Sequence, residues 1–146
     1  MTHATKLFEK EQDIVMHIAV LMSIAMADGQ FLDVERKFIE ELAASYAAAY
    51  GTRTFDQMVD CLDGLPKSAM TEWEQSIISK PAVVRTLLKD MIALGHVDGD
   101  FCKEERNLVD DYAKRYNVPK EVVDAIDGVV TEMCALTEKL NGIIIG

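Results

Sequence analysis

A repeat constrains this chain more than any other feature. Displaced by seventy positions, the sequence superposes Asp28, Gly29, Phe31, Glu35, Arg36, Ala43 and Tyr46 on Asp98, Gly99, Phe101, Glu105, Arg106, Ala113 and Tyr116, seven identities in the nineteen columns from 28 to 46. Conservative pairs hold the same register: Ile24 with Leu94, Phe38 with Leu108, Ile39 with Val109, Glu40 with Asp110 and Glu41 with Asp111. Each unit reads as a helix, a tight acidic turn and a second helix, stopped at Gly29 or Gly99, because glycine tolerates the left-handed backbone that ends a helix. A lone helix hairpin cannot cover its own apolar faces. The two hairpins are therefore expected to pack on each other about a pseudo-two-fold axis, bringing both acidic turns toward one region.

Start and stop signals divide the 146 residues into about seven helices. No segment alternates with the period of two that a half-buried strand needs. The first helix is expected from Lys6 to Ala27. The second starts at Asp33, whose carboxylate can cap first-turn amides, carries Phe38, Leu42 and Tyr46 four apart, and runs to Gly51. Thr54 with Gln57, and Thr71 with Glu74, have capping-box spacing; they open a third helix closed by Gly64 and Pro66, and a fourth through Trp73, Ile77 and Ile78. Pro81 opens a fifth to Val97, a sixth covers Lys103 to Tyr116, and Pro119 opens a seventh to Leu140 with Gly128 as a kink point. The third and fourth helices would bridge the hairpins. No low-complexity linker divides the chain, which reads as one all-α domain. The apolar tail Ile143, Ile144, Ile145 is expected to dock on the body, the alternative being a partner's groove.

Charge narrows the partners. Fifteen Lys and Arg against twenty-five Asp and Glu give a net charge of −10, which disfavours nucleic acid and anionic membrane surfaces. The greasiest stretch, Ile14 to Ala27, contains His17 and Ser23 and falls short of the about 20 residues that a membrane-spanning helix takes, so no transmembrane segment is expected. His17 reads as a satisfied core residue. Met1 to Lys10 lacks the order of a secretory signal, and Cys61, Cys102 and Cys134 show no CxxC spacing. A cytoplasmic chain with reduced thiols follows, Cys61 and Cys134 as buried inert groups and Met16, Met22 and Met26 as core filling.

The spacing Asp-Gly-x-Phe-x-x-x-Glu matches the second half of an EF-hand calcium loop. The first half is missing: its first two ligand positions fall on Ile24 and Met26 in one copy and on Leu94 and His96 in the other, and most of these cannot supply hard oxygen ligands. What the pattern allows is weak capture of a divalent cation by carboxylates drawn from both turns, namely Asp28, Glu35, Asp98, Asp100 and Glu105. The architectural alternative uses the same residues as a helix-hairpin corner: Asp before Gly as turn chemistry, the glutamate at the positive end of the following helix, Arg36 and Arg106 bridging back to the turn aspartate, and Phe31 and Phe101 as plugs beneath the turns. His96, Asp98, Asp100 and Cys102 stand at every other position, a weak zinc pattern because locally built zinc sites use pairs such as CxxC. No phosphate loop, GxSxG elbow or HExxH motif is present in the sequence, so no catalytic residue is assigned.

Two hairpins bearing Ala27-Asp28-Gly29 and Val97-Asp98-Gly99, each followed by an apolar residue and then Glu-Arg, resemble the TerB-like tellurite-resistance family over about Leu7 to Leu140. The resemblance implies a single TerB-like helical domain over residues 1–146, a cytoplasmic stress-response protein without catalysis. Its acidic turn residues Asp28, Glu35, Asp98 and Glu105 would serve metal binding or docking of a protein partner. His96, Asp100 and Cys102 have Met26, Gln30 and Leu32 as counterparts, so the two turns are not chemically equivalent. The rival readings are a small metal- or thiol-dependent enzyme acting on oxyanions, and a homodimer joined through the apolar tail with Tyr46, Tyr50 and Tyr116.

Overall fold

Two stretches carry most of the buried apolar side chains: residues 14–21, apolar around almost their whole circumference, and residues 83–95, which leave only the face of Arg85 and Lys89 exposed, so both must be covered by other helices. The computed structural model describes residues 7–26, 31–48, 55–97, 101 and 103–146, apart from the side chains of residues 62, 63 and 67. Among the described residues the chain is all-helical, without strands. The helices are α1 (Glu11–Ala25), α2 (Asp33–Ala47), α3 (Phe55–Asp63), α4 (Lys67–Ile77), α5 (Pro81–His96), α6 (Lys103–Arg115) and α7 (Lys120–Ile145). The two greasy stretches are α1 and α5, which touch each other at the centre. Around them, α2, α3 and α4 pack on α1, while α6, α7 and α4 pack on α5. Of the two short helices, α4 bridges α1 and α5, and α3 sits on α1 and α2. The outer helices bury only a stripe, as Ile39, Ala43 and Ala47 do in α2. No described helix is long and apolar enough to cross a membrane.

Local signals set most boundaries. Asp13 and Glu35, each at the third helical position, accept the backbone N–H of Lys10 (3.2 Å) and Leu32 (3.0 Å), tying down one donor that the helix start leaves unpaired. The first helix therefore begins at Glu11 and not at Lys6; residues 7–10 bend, so that Phe8 is buried edge-on against His17 and Tyr46. The α6 end is a left-handed cap. Asn117 has φ 61°, its N–H reaches Lys114 O (3.2 Å) and the Val118 N–H reaches Ala113 O (2.8 Å).

Three expectations are corrected. The fourth helix starts at Lys67 with Pro66 as its cap, so Thr71 lies inside the helix and Glu74 is used in tertiary contact. The seventh helix does not end at Leu140 but continues to Ile145. The tail does not dock: Ile143, Ile144 and Ile145 are 69%, 70% and 86% exposed.

Glycine is required at position 95. A Cβ there would stand 2.3 Å from the Phe101 ring and 3.1 Å from Glu105 Oε2, so the bare backbone lets the residues after the turn close on the last turn of α5. Gly95→Ala should lower the melting temperature despite the gain of about 1 kcal/mol in helix propensity, because overpacking costs about 1–3 kcal/mol. Gly128→Ala, with nothing within 4 Å, should raise it. Thermal melts of the two variants check the pair, and a stabilising Gly95→Ala would contradict the packing.

Candidate functional site

Of the five carboxylates expected to hold a cation, Asp28, Asp98 and Asp100 lie outside the described residues, as do Cys102 and Tyr50. The other two start helices. Glu35 stands in the first turn of α2 with Oε1 on the Leu32 amide, and Glu105 stands in the first turn of α6 with its carboxylate turned toward the last turn of α5. Among the described residues no group of three His, Cys, Asp or Glu side chains is placed to hold a metal ion. His96 lies against the Phe101 ring (5.0 Å), with Nε2 3.4 Å from the Thr131 hydroxyl. Phe31 and Phe101 are half-buried against the core, and Cys61 and Cys134 are half-buried rather than sealed.

The motif arginines have described partners on the helix that follows. Arg36 Nε donates to Glu40 (2.6 Å) and its Nη2 to Asp56 of α3 (3.1 Å). Arg106 Nε donates to Asp110 (3.0 Å), Nη1 to Asp127 (2.5 Å) and Nη2 to Asp124 (2.5 Å). The flat guanidinium fork suits such a role, since one side chain can satisfy several carboxylates at fixed angles. Partial burial pulls the Arg106 pKa down, but its hydrogen bonds to Asp124 and Asp110 outweigh this and hold it above the usual arginine range. Lys120 first, and Arg106 next, hold the Asp124 carboxyl below its ordinary value. In both places the arginine is outnumbered: two carboxylates surround Arg36, and three surround Arg106 with Lys120 beside Asp124 (2.9 Å). Each rim keeps an excess of one negative charge by that count, and its oxygens have lone pairs to spare.

A buried polar node lies between the central helices. Asp90 is 1% exposed and His17 0%. Asp90 Oδ2 accepts from His17 Nε2 (2.8 Å) and from the Tyr46 hydroxyl (2.5 Å), while Lys89 Nζ stands 3.4 Å from Oδ1. Among the described residues His17 Nδ1 has no hydrogen-bond partner. Asp90 and His17 are shut off from solvent, whereas Tyr46 is half-buried and the Lys89 side chain is half exposed. A second tyrosine behaves alike: the Tyr116 hydroxyl donates to Glu74 Oε2 (2.7 Å), which also receives Arg115 Nη1 (2.9 Å). Desolvation, then the neighbouring carboxylate, pushes the Tyr46 and Tyr116 hydroxyls well above their ordinary value. Tyr116 is buried, so neither the phenol nor its ring is free for the dimer interface expected from sequence.

An open groove of about 610 Å³ lies between α5 and α7, walled by Val122, Ile126, Val129 and Met133 with Arg85 and Lys89 at its edge. It is apolar and has no constellation of nucleophile, base and oxyanion donors. Comparison of the chain with family models, curated proteins and solved structures finds no match.

Sequence reading named His17 but missed Asp90, Asp124 and Asp127. A signal for Asp90 existed: it is a carboxylate falling on the same helical face as Leu87, Leu94 and Met91, while the neighbouring Lys89 falls with Arg85 on the exposed face. Asp90→Ala should cost about 3–5 kcal/mol by stranding a buried imidazole and phenol, whereas His17→Leu with Asp90→Leu should recover much of the loss. Thermal and denaturant unfolding measure both, and a loss under about 1 kcal/mol for Asp90→Ala would contradict the node. Alkaline titration gives a second check. Below pH 10 the tyrosines are protonated in both states and their stabilisation is complete; above it the unfolded chain loses these protons first, so stability falls as pH rises. Tyr46→Phe with Tyr116→Phe should flatten that slope.

Proposed function

We propose that the chain is a non-enzymatic, TerB-like stress-response module in which a duplicated helical unit presents acidic rims to a basic protein partner. Duplication is supported by helix starts that lie seventy residues apart, Glu11 with Pro81 and Asp33 with Lys103. It is supported also by Arg36 and Arg106, each tied to a carboxylate four residues on and to the next helix. The observation that carries the function is the outnumbered arginine at each rim. The internal cation fixes the geometry, and the surplus carboxylate charge faces solvent, most openly at Asp56, 81% exposed. Charged rims of this kind steer and orient a partner more than they add raw affinity.

Cation binding is the subordinate part of the proposal. It needs Asp28, Asp98 and Asp100 to join Glu35 and Glu105, and Glu35 Oε1 is already engaged by the Leu32 amide. A divalent ion would be held weakly, by oxygen ligands and water.

Two measurements test these parts. A lysine-rich peptide should bind at low ionic strength; Asp56→Asn with Asp124→Asn should weaken binding several-fold, while Glu72→Gln with Glu138→Gln, which removes the same charge, should leave it unchanged. Equal effects of the two sets would reject a rim-specific surface. Calorimetry with calcium, magnesium, manganese and zinc should give heat for one of them, accompanied by a higher melting temperature and lost with Glu35→Gln and Glu105→Gln. Silence for all four would remove the cation.

A further inference from the structure

We propose that a second copy of this chain pairs antiparallel along α7, the overhanging end of each helix lying in the α5–α7 groove of the other. The inference is independent of the acidic rims. Its basis is a seam of Ile126, Val129, Met133, Leu136, Leu140 and Ile143, spaced 3, 4, 3, 4 and 3 residues apart. That is the a/d alternation of a coiled coil. The five residues from Val129 onward are each more than half exposed, and Ile126 lines the groove. The seam thus runs unbroken from the groove wall onto helix that no other element covers: every residue from 135 to 146 is exposed.

Register and charge both select the second copy. An antiparallel match centred between 134 and 135 sets the seam against itself. Met133 then meets the second copy's Leu136, Val129 its Leu140, and Ile126 its Ile143, so every seam residue finds a seam residue. Antiparallel pairing also sets like flanking positions opposite each other, which brings Glu132 against the second copy's Lys139 twice by symmetry. A parallel pair would place Glu132 opposite Thr137 and Lys139 opposite Ile144, with no charge match. The seam spans about two and a half heptads, short for a free-standing coiled coil, and the α5 wall supplies the additional contact. At on the order of 400 Å² of apolar surface per copy the pair falls below the range of stable specific interfaces and among the small transient ones, so a weak, reversible dimer is expected.

Sedimentation of the full chain from about 1 to about 200 µM tests this. A monomer–dimer equilibrium is expected. Leu136→Glu, at an exposed position, should leave helix content intact and weaken the dimer at least tenfold; Glu132→Lys should weaken it several-fold; and Glu132→Lys with Lys139→Glu should restore it. A chain that stays monomeric throughout overturns the proposal. So does a dimer that Leu136→Glu leaves intact, which would place the interface elsewhere, and so does one indifferent to Glu132→Lys, which would exclude the antiparallel match.

Discussion

One oxygen of Asp90 holds three helices together. A carboxylate removed from water in this way is tolerated only when donors replace its hydration, and here α1 supplies an imidazole and α2 a phenol to the same Oδ2. The rest of the α1–α5 contact is aliphatic and nondirectional, so by itself it would accept small slides and rotations at little cost. The hydrogen bonds do not. They admit a single rotation of α1 against α5 and a single depth of insertion for α2. Phe8 closes the node from the other side, its ring edge-on to both His17 and Tyr46. We attribute the choice of helix register to this node and the bulk of the burial energy to the aliphatic side chains around it.

The node also breaks the proposed symmetry. Seventy residues from His17 stands Leu87, and seventy before Asp90 stands Val20, both buried. A polar pair thus occupies one arrangement of the α1–α5 contact and an apolar pair the counterpart. The tyrosines Tyr46 and Tyr116 each find a carboxylate, but on different helices, Asp90 of α5 and Glu74 of α4. A buried carboxylate needs its own donors, and the structure supplies them at Asp90 alone of these two places. On the proposed duplication, the halves would have diverged in the interior while keeping Arg36 and Arg106 at the rim.

What could be read from the sequence was what depends on near neighbours. Periodic apolar residues and the glycine and proline signals located all seven helices, since a 3.6-residue stripe and a cap are written within one turn. The start of α4 was misread because Thr71 and Glu74 have capping spacing while Glu74 is taken by Tyr116, forty-two residues away. The arginines were recognised as structural, but their partners Asp56, Asp124 and Asp127 could not be found, as each is about twenty residues off on a helix whose rotation is fixed only by packing. The tail was expected to dock because three isoleucines in water are costly. Continuation of α7 past the body points them outward instead, and their cost becomes a tendency to associate.

The acidic rims and the α7 seam differ in physical kind, and salt separates them. Docking of a basic partner on the rims is attraction between exposed charges, weakened once the screening length falls to about 8–10 Å at ordinary ionic strength. Pairing along α7 works against the mutual repulsion of two bodies that each carry a charge of −10, while the contact itself is aliphatic and locally neutral, Glu132 facing Lys139. Added salt screens that repulsion and leaves the buried apolar area untouched. On these two proposals, the same change of medium would release a partner from the rims and favour the pair. A surface whose occupancy rises with salt is hydrophobic in origin even on a strongly acidic protein, and α7 is where this fold leaves such a surface uncovered.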